Sequence, residues 1–252
     1  MPDNLKQELA QAMLHQGAYE VRVCDPRQGF EHGIPGRRPL DIWPECRSVV
    51  VFAVAKAPYA NDHYVGPVRS QPDPERLGRV PLHAVDPAYA LRRLDDYFSF
   101  AVEYEGEGLL RARGHQVYRT HPAKMQAKLC AYEAGLAVYG RAGFVLHPVL
   151  GNRIRLGTIM TDAELAPDPK VEGYDPCANC QACVKACPAK AHDLNKTYPE
   201  SFERAKCEAT RNELDKQGVF CNRCWSICPA GKVKDAELYS IAEPIVYPQR
   251  PG

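Results

Sequence analysis

Eight of the eleven cysteines fall in two adjacent runs. The first, C-A-N-C-Q-A-C-V-K-A-C-P, sets Cys177, Cys180, Cys183 and Cys187 at spacings of three, three and four, with Pro188 behind the last. Thiolates in this pattern wrap iron–sulfur cubanes: three hold one [4Fe-4S] cluster, and the fourth, carried away by the proline that follows it, reaches a second. The pattern recurs 41 residues on, where Cys221, Cys224 and Cys228-Pro229 repeat its second, third and fourth positions. The first position of the copy falls on Gly218, which has no donor, and Cys207, eleven residues earlier, is the replacement. Cys177, Cys180, Cys183 and Cys228 are therefore assigned to one cluster, and Cys187, Cys207, Cys221 and Cys224 to the other. Structural zinc also uses C-x-x-C pairs, but a third Cys at the same spacing followed by Cys-Pro is not a zinc-finger layout. Disulfides need an oxidising compartment. The first residues, MPDNLKQELAQAMLHQG, show neither a basic n-region nor an apolar h-region, and the Arg37-Arg38 and Arg92-Arg93 pairs are internal, so a reducing cytoplasm is expected. Cys24, Cys46 and Cys130 stand alone in the sequence and are expected to be small buried hydrophobes.

The rest of the chain must position this chemistry. With 252 residues, 45% hydrophobic and 25% charged, the composition is that of a globular protein, and no apolar run is long enough to span a bilayer. The net charge of +1, without any Lys/Arg block, gives no reason to expect a nucleic-acid partner. Proline and acidic residues break all periodicity over 162–176, DAELAPDPKVEGYDP, which marks a boundary. Two domains are expected: residues 1–165, and a cysteine domain over 166–252 ending in a proline-rich tail. The first is larger than an iron–sulfur carrier requires, which argues for more than a ferredoxin.

That first part alternates helix and strand. Leu5, Leu9 and Met13 mark one face of an opening helix. The run SVVVFAVA over 48–55 reads as a buried strand. From about Ala88 to Arg113, Leu91, Leu94, Phe98, Ala101, Val102, Leu109 and Leu110 recur at helical spacing, and the short strand HQVYR follows. Pro122 suits the first turn of another helix carrying Met125, Leu129, Tyr132 and Leu136. Phe144–His147 and Ile154–Met160 read as two strands joined through Pro148–Asn152. The order α-β-α-β-α-β-β predicts an α+β fold, helices on a mostly antiparallel sheet. The run GFEHGIPG, residues 29–36, has no phosphate-loop spacing and reads as a turn.

The stretch AGLAVYGRAGFVLHPVLGNRIRLGTIMTD, residues 134–162, directly before a two-cluster segment, resembles the corrinoid-dependent reductases, which comprise the reductive dehalogenases and the epoxyqueuosine reductases. The resemblance rests on Ala134-Gly135-Leu136, Gly140-Arg141, Gly143, Pro148, Gly151, Arg153, Arg155 and Thr161-Asp162, and extends upstream over most of the chain. It implies a nitroreductase-like domain that holds cobalamin base-off, followed by a bacterial ferredoxin-like double-cluster domain that feeds it electrons. Clusters span roughly −700 to +450 mV, a range that reaches the reduction of Co(II) to Co(I), while the cofactor carries the hard chemistry. Gly135, Gly140, Arg141, Gly143, Gly151 and Asn152 are the cofactor-binding candidates, glycines there letting the backbone approach a flat macrocycle. Two departures stand out: Ala137 replaces a glycine, and Arg119-Thr120-His121-Pro122 lacks the acid that the epoxyqueuosine reductases carry before a proline. Their helical-repeat extension and the dehalogenases' export signal are not found.

By the same resemblance Tyr97 is the proton donor, with Arg141 or Arg153 as the cation that stabilises its phenolate, and His121 is a polar pocket residue; each also fits a structural role. No histidine is expected to ligate a metal or cobalt. Three functions follow: a corrinoid-dependent reductase of a small organic molecule, drawing electrons from a low-potential ferredoxin or flavodoxin; an electron-transfer or reductive-activation protein without its own substrate; and a tRNA-modifying reductase. Flavin is the lesser alternative to cobalamin.

Overall fold

The computed structural model describes residues 2–56, 87–119, 124–196, 200–216, 221 and 223–231. The elements are α1 (Pro2–His15), β1 (Glu20–Cys24), α2 (Pro39–Ile42), β2 (Ser48–Ala55), α3 (Pro87–Ala112), β3 (Val117–Arg119), α4 (Ala127–Glu133), β4 (Val138–Tyr139), β5 (Val145–Leu146), β6 (Ile154–Thr161), α5 (Ala182–Ala186), α6 (Arg204–Lys216) and α7 (Arg223–Ser226). Helices and strands mix as an α+β fold requires.

Four strands form one sheet in the order β1-β2-β6-β3, antiparallel at every pairing. β2 lies inside it, covered on both faces, which is why its sequence is an unbroken apolar run rather than an alternation. Val50, Phe52 and Val54 point to one side, against Leu9 and Met13 of α1 and Val102 and Leu110 of α3. Val49, Val51 and Ala53 point to the other, against Met125, Cys130, Ala131 and Leu136 around α4. The register sets Phe52 opposite Gly157 of β6, and its ring fills the space a side chain there would take. Full burial of a side chain of this size contributes about 1.5–3 kcal/mol.

One expectation is corrected here and two gain detail. β5 pairs with β4 in a separate two-stranded sheet. The helix expected from Pro122 begins at Ala127, and Pro122 itself lies outside the described residues. Within the stretch read as a boundary, Ala163 and Leu165 are buried, and Asp168 binds the outer edge of β1. The Asp168 N–H donates to the Val23 carbonyl at 2.9 Å, its carboxylate accepts the Val23 N–H at 2.8 Å, and Lys6 closes on it at 2.8 Å. An edge strand left open would expose unpaired donors and acceptors.

Cys24, Cys46 and Cys130, isolated in sequence, converge in one core under the sheet. The Cys130 thiol and burial together raise the Cys24 pKa, and burial lifts Cys46 to about 12.

A half-buried acid pairs with a buried histidine beside β5. His147, 1% exposed, accepts the Val149 and Leu150 N–H groups at Nδ1, which leaves Nε2 to donate to Glu20 at 2.7 Å. Burial pushes the Glu20 carboxyl up, but the hydrogen bonds from His147 and Arg22 outweigh it and hold its pKa below the ordinary value. A depressed carboxyl adds stability that is complete above its unfolded value and lost as pH falls through the folded one. Glu20→Gln keeps an acceptor for His147 but loses the charge. Anaerobic urea melts should show it less stable than wild type by about 1 kcal/mol at neutral pH, the gap closing below about pH 4. A gap independent of pH would remove the ionised acid from the account.

Candidate functional site: two cysteine quartets and a basic cavity

The cysteine segment brings little core of its own. Between 177 and 231 only Ala191 and Ser201 are buried among the described residues, and α5 and α7 bury none. A small unit without a hydrophobic core needs metal or disulfide staples. The sequence repeat is also a structural one: α5 starts at Ala182 and α7 at Arg223, again 41 apart (223 − 182), and the two helices pack together.

The eight cysteines gather in two sets. Cys177, Cys180, Cys183 and Cys228 line one tight recess of about 20 Å³ with Gly140, Arg141 and Pro229. Burial first, then the charges of Cys177, Cys228 and Cys180, push the Cys183 thiol to about 11. Around Cys224, burial and then Cys207, Cys221, Cys187 and Cys183 push the thiol to about 12. Cys224 also lines the recess of the first set, so the two sets share a wall. Burial is the larger cause of both shifts, and thiolates at these positions would need compensating positive charge, which iron would supply. No three His, Cys, Asp or Glu side chains among the described residues stand close enough for a single ion; the thiols ring a space instead.

Arg141 seals that recess. Its backbone N–H points at Cys177 Sγ at 3.4 Å, and its guanidinium donates to the Cys177 and Leu194 carbonyls at 3.3 and 3.4 Å. Its Nε is buried without an acceptor. An orphaned donor and an N–H aimed at sulfur fit a sulfide-rich cluster, whose potential such hydrogen bonds tune.

The second feature is a cavity of about 510 Å³ on the α4 face of the sheet. Tyr139, Phe144, Ile154, Leu156 and Trp225 supply apolar surface. Trp225 follows Cys224 directly and locks the cysteine segment onto the sheet domain. Its Nε1 donates to the Asn152 carbonyl at 3.1 Å, and Asn152 Nδ2 donates back to the Trp225 carbonyl at 2.8 Å. Lys56 Nζ lies 3.9 Å over the Trp225 ring.

The residues singled out in sequence separate here. Asn152 lines the cavity, while Gly140 and Arg141 line the cysteine recess. Arg153 is 3% exposed; the Cys228 thiol is raised chiefly by burial, with the Arg153 charge a small opposing influence. Gly135 and Gly151 meet chain in this structure, where the expectation was a macrocycle: a side chain on Gly135 would overlap the Pro169 carbonyl, and one on Gly151 the Ala230 carbonyl. The Gly143 carbonyl accepts Lys128 Nζ at 2.8 Å. The Tyr97 side chain and His121 lie outside the described residues. The described part of α3 packs on the opposite face of the sheet from the cavity.

Sequence reasoning missed Lys56, Lys128, Trp225 and Glu103. Trp225 carried a signal, an aromatic residue directly behind Cys224; Lys56 and Lys128 carried none, each a single cation outside any motif. Glu103 on α3, beside Arg119, is pushed to about 7 by burial against the charge of Arg119, with Glu107 adding to the rise.

The architecture sets a cysteine-rich segment beside a cavity on an α+β layer. No family model matches the chain. A tetrachloroethene reductive dehalogenase of Desulfitobacterium hafniense is 33% identical over 121 residues, 41% of this chain and 22% of that protein. An epoxyqueuosine reductase of Synechococcus sp. is 30% identical over 137 residues, 50% of this chain and 40% of that protein. Among solved structures, the catabolic reductive dehalogenase NpRdhA shares the fold with a TM-score of 0.69 at 18% identity, over 96% of this chain and 34% of that one. An epoxyqueuosine reductase crystallised with a modified tRNA-Tyr stem loop shares it with a TM-score of 0.62 at 19% identity, over 95% and 68%. The chain is thus similar in sequence to reductive dehalogenases and epoxyqueuosine reductases, and shares its fold with solved structures of both. The matched stretch is about a fifth of the length of the dehalogenase and two fifths of that of the epoxyqueuosine reductase. No helix among the described residues is long and apolar enough to cross a membrane.

Proposed function

We propose that the chain is a cytoplasmic corrinoid-dependent reductase of a small organic substrate. In this reading residues 1–165 form a nitroreductase-like domain and residues 166–252 a ferredoxin-like one. The observation that carries it is the cavity of about 510 Å³ whose wall includes Trp225, next in sequence to the cluster ligand Cys224. When bound, two [4Fe-4S] clusters would pass single electrons from a ferredoxin or flavodoxin, and a corrinoid would supply the reductive bond cleavage.

The residues present fit such a group. Phe144, Tyr139 and Trp225 offer flat apolar surface, and Asn152 and Lys128 offer donors to amide and phosphate oxygens. Among the described residues no histidine lines the cavity, and His147 has both ring nitrogens engaged, so base-off binding is expected. The Asn152–Trp225 pair holds the second quartet against the cavity. Tyr97 and His121 are the proposed proton sources, with flavin the lesser alternative cofactor.

Anaerobically reconstituted protein should hold about eight iron and eight sulfide per chain, and added cob(II)alamin should show a base-off spectrum. Tyr97→Phe should then cut turnover about 10²–10⁴-fold with cofactors retained. Unimpaired turnover would return Tyr97 to the core behind the sheet. An unchanged cobalamin spectrum at saturating protein would favour an electron carrier without its own substrate. A tRNA substrate is the second reading, supported by the shared fold with the enzyme crystallised on a tRNA stem loop.

A further inference from the structure

We propose that Arg141 sets the reduction potential of the first cluster, holding it above the value that its four thiolates alone would give. The inference rests on reading the quartet of Cys177, Cys180, Cys183 and Cys228 as a [4Fe-4S] site. It gives Arg141 a task other than the two the family resemblance implies, a partner for a phenolate or for cobalamin.

Arg141 does not belong to the cysteine segment. It stands at the tip of the hairpin joining β4 to β5, where the Gly143 N–H donates to the Gly140 carbonyl at 2.9 Å and the Gly140 N–H to the Phe144 carbonyl at 2.7 Å. Tyr139, Phe144 and Val145 of this hairpin line the cavity, while its tip, Gly140, Arg141 and Ala142, lines the cysteine recess. The sheet domain thus pushes a cation into the recess from outside. The guanidinium is tied to the Cys177 and Leu194 carbonyls at 3.3 and 3.4 Å, which holds the charge there, and its Nε is buried. The backbone N–H of the same residue points at Cys177 Sγ at 3.4 Å. Burial raises the Cys177 thiol most; the Arg141 N–H and, more weakly, the Arg141 charge pull it back toward the anion.

Reduction adds an electron to a cluster, so the reduced form is the more negative and gains more from a cation beside it. Cluster potentials follow net charge and hydrogen bonds to sulfur, and a buried charge is screened far less than an exposed one. The second quartet differs in both respects. It receives an N–H from within the cysteine segment, Ala191 to Cys187 Sγ at 3.5 Å, and the cation that acts on Cys207 is Arg211, exposed on α6. Arg141 therefore decides how readily the first cluster accepts an electron from a low-potential donor.

The test is a dithionite titration of anaerobically reconstituted protein, followed by electron paramagnetic resonance. Arg141→Gln keeps the backbone N–H and loses the charge. Its first cluster should be about tenfold harder to reduce, a fall of about 59 mV for a one-electron couple, while the second stays at its wild-type value. Arg141→Lys, which keeps the charge, should lie near wild type. The same fall on adding Arg141→Gln to Cys207→Ala, expected to hold only the first cluster, assigns the shift to that cluster. Unshifted potentials in iron-loaded Arg141→Gln would overturn the inference alone. So would an equal fall at both clusters, or a fall in Arg141→Lys as large as that in Arg141→Gln. If Arg141→Gln sheds the iron of the first site, Arg141→Lys decides: a wild-type potential upholds the charge as the determinant, and a fall of about 59 mV overturns it. Protein that takes up no iron would overturn the iron–sulfur reading and the inference with it. The expected shift in protein that binds no cobalamin would support the inference while removing the proposed reductase function.

Discussion

Cys207→Ala should hold about four iron per chain instead of about eight, and should lose reductase turnover altogether. The sequence repeat fails at Gly218, so the second quartet is one donor short unless a distant residue supplies it. Cys207 sits on α6, and its thiol pKa is raised by burial and by Cys187 and Cys221, the other members of its set, against the pull of Arg211. The three remaining cysteines are sealed in the sheet core and cannot substitute without unfolding it. Cys24→Ala, Cys46→Ala and Cys130→Ala should therefore keep full iron, as measured anaerobically. Full iron in Cys207→Ala would show that another residue completes the second site.

Gly151→Ala should be nearly as damaging, without touching a ligand. Gly151 has a φ of +59°, and Gly231 facing it has +65°. A Cβ on Gly151 would overlap the Ala230 carbonyl, and one on Gly231 would overlap the Gly151 nitrogen. The left-handed backbone alone costs a non-glycine residue about 1–2 kcal/mol. The overlap adds more, because a backbone carbonyl cannot swing aside as a long side chain can. Relief means moving residues 229–231, and with them Cys228 and the Asn152–Trp225 lock. We expect a labile first cluster, seen as iron lost on gel filtration. Gly173→Ala is the control: its φ is +70° but nothing lies within 4 Å of the added atom. It should cost only the backbone term. Iron retention equal in the two variants would mean that the Gly151–Gly231 contact does not hold the cysteine segment in place.

How far residues alone reveal such a fold depends on what each pattern encodes. Ser48–Ala55 was legible to its exact bounds, because a strand buried on both faces must be continuously apolar. The long helix was legible for the complementary reason, a one-sided stripe. β1 was overlooked, although Val21 and Val23 alternate with Glu20 and Arg22, because five residues make a weak period-2 signal. The pairing of β5 with β4 was illegible, since strand partnership depends on where a turn sends the chain and not on the composition of the strand.

The site divides the same way. Ligand spacing is local and was readable, whereas the cavity is assembled from single residues on several elements, none of which forms a pattern with its sequence neighbours. Gly135 and Gly151 were legible as positions that need close approach. What approaches them was not: only the folded chain shows Pro169 and Ala230 there. The acidic stretch after β6 reads as a boundary from its composition; what composition does not show is that Asp168 binds the edge of β1.

The three thiols sealed beneath the sheet make the protein its own unfolding gauge. Eight cysteines are partly exposed and three are buried. Because an alkylating reagent must reach the sulfur, protein stripped of iron should take up label at the partly exposed sites first and then stall. The last three labels can enter only when the sheet and α4 part. Counting them by mass over time would measure how often the whole domain opens, with no probe added to the molecule.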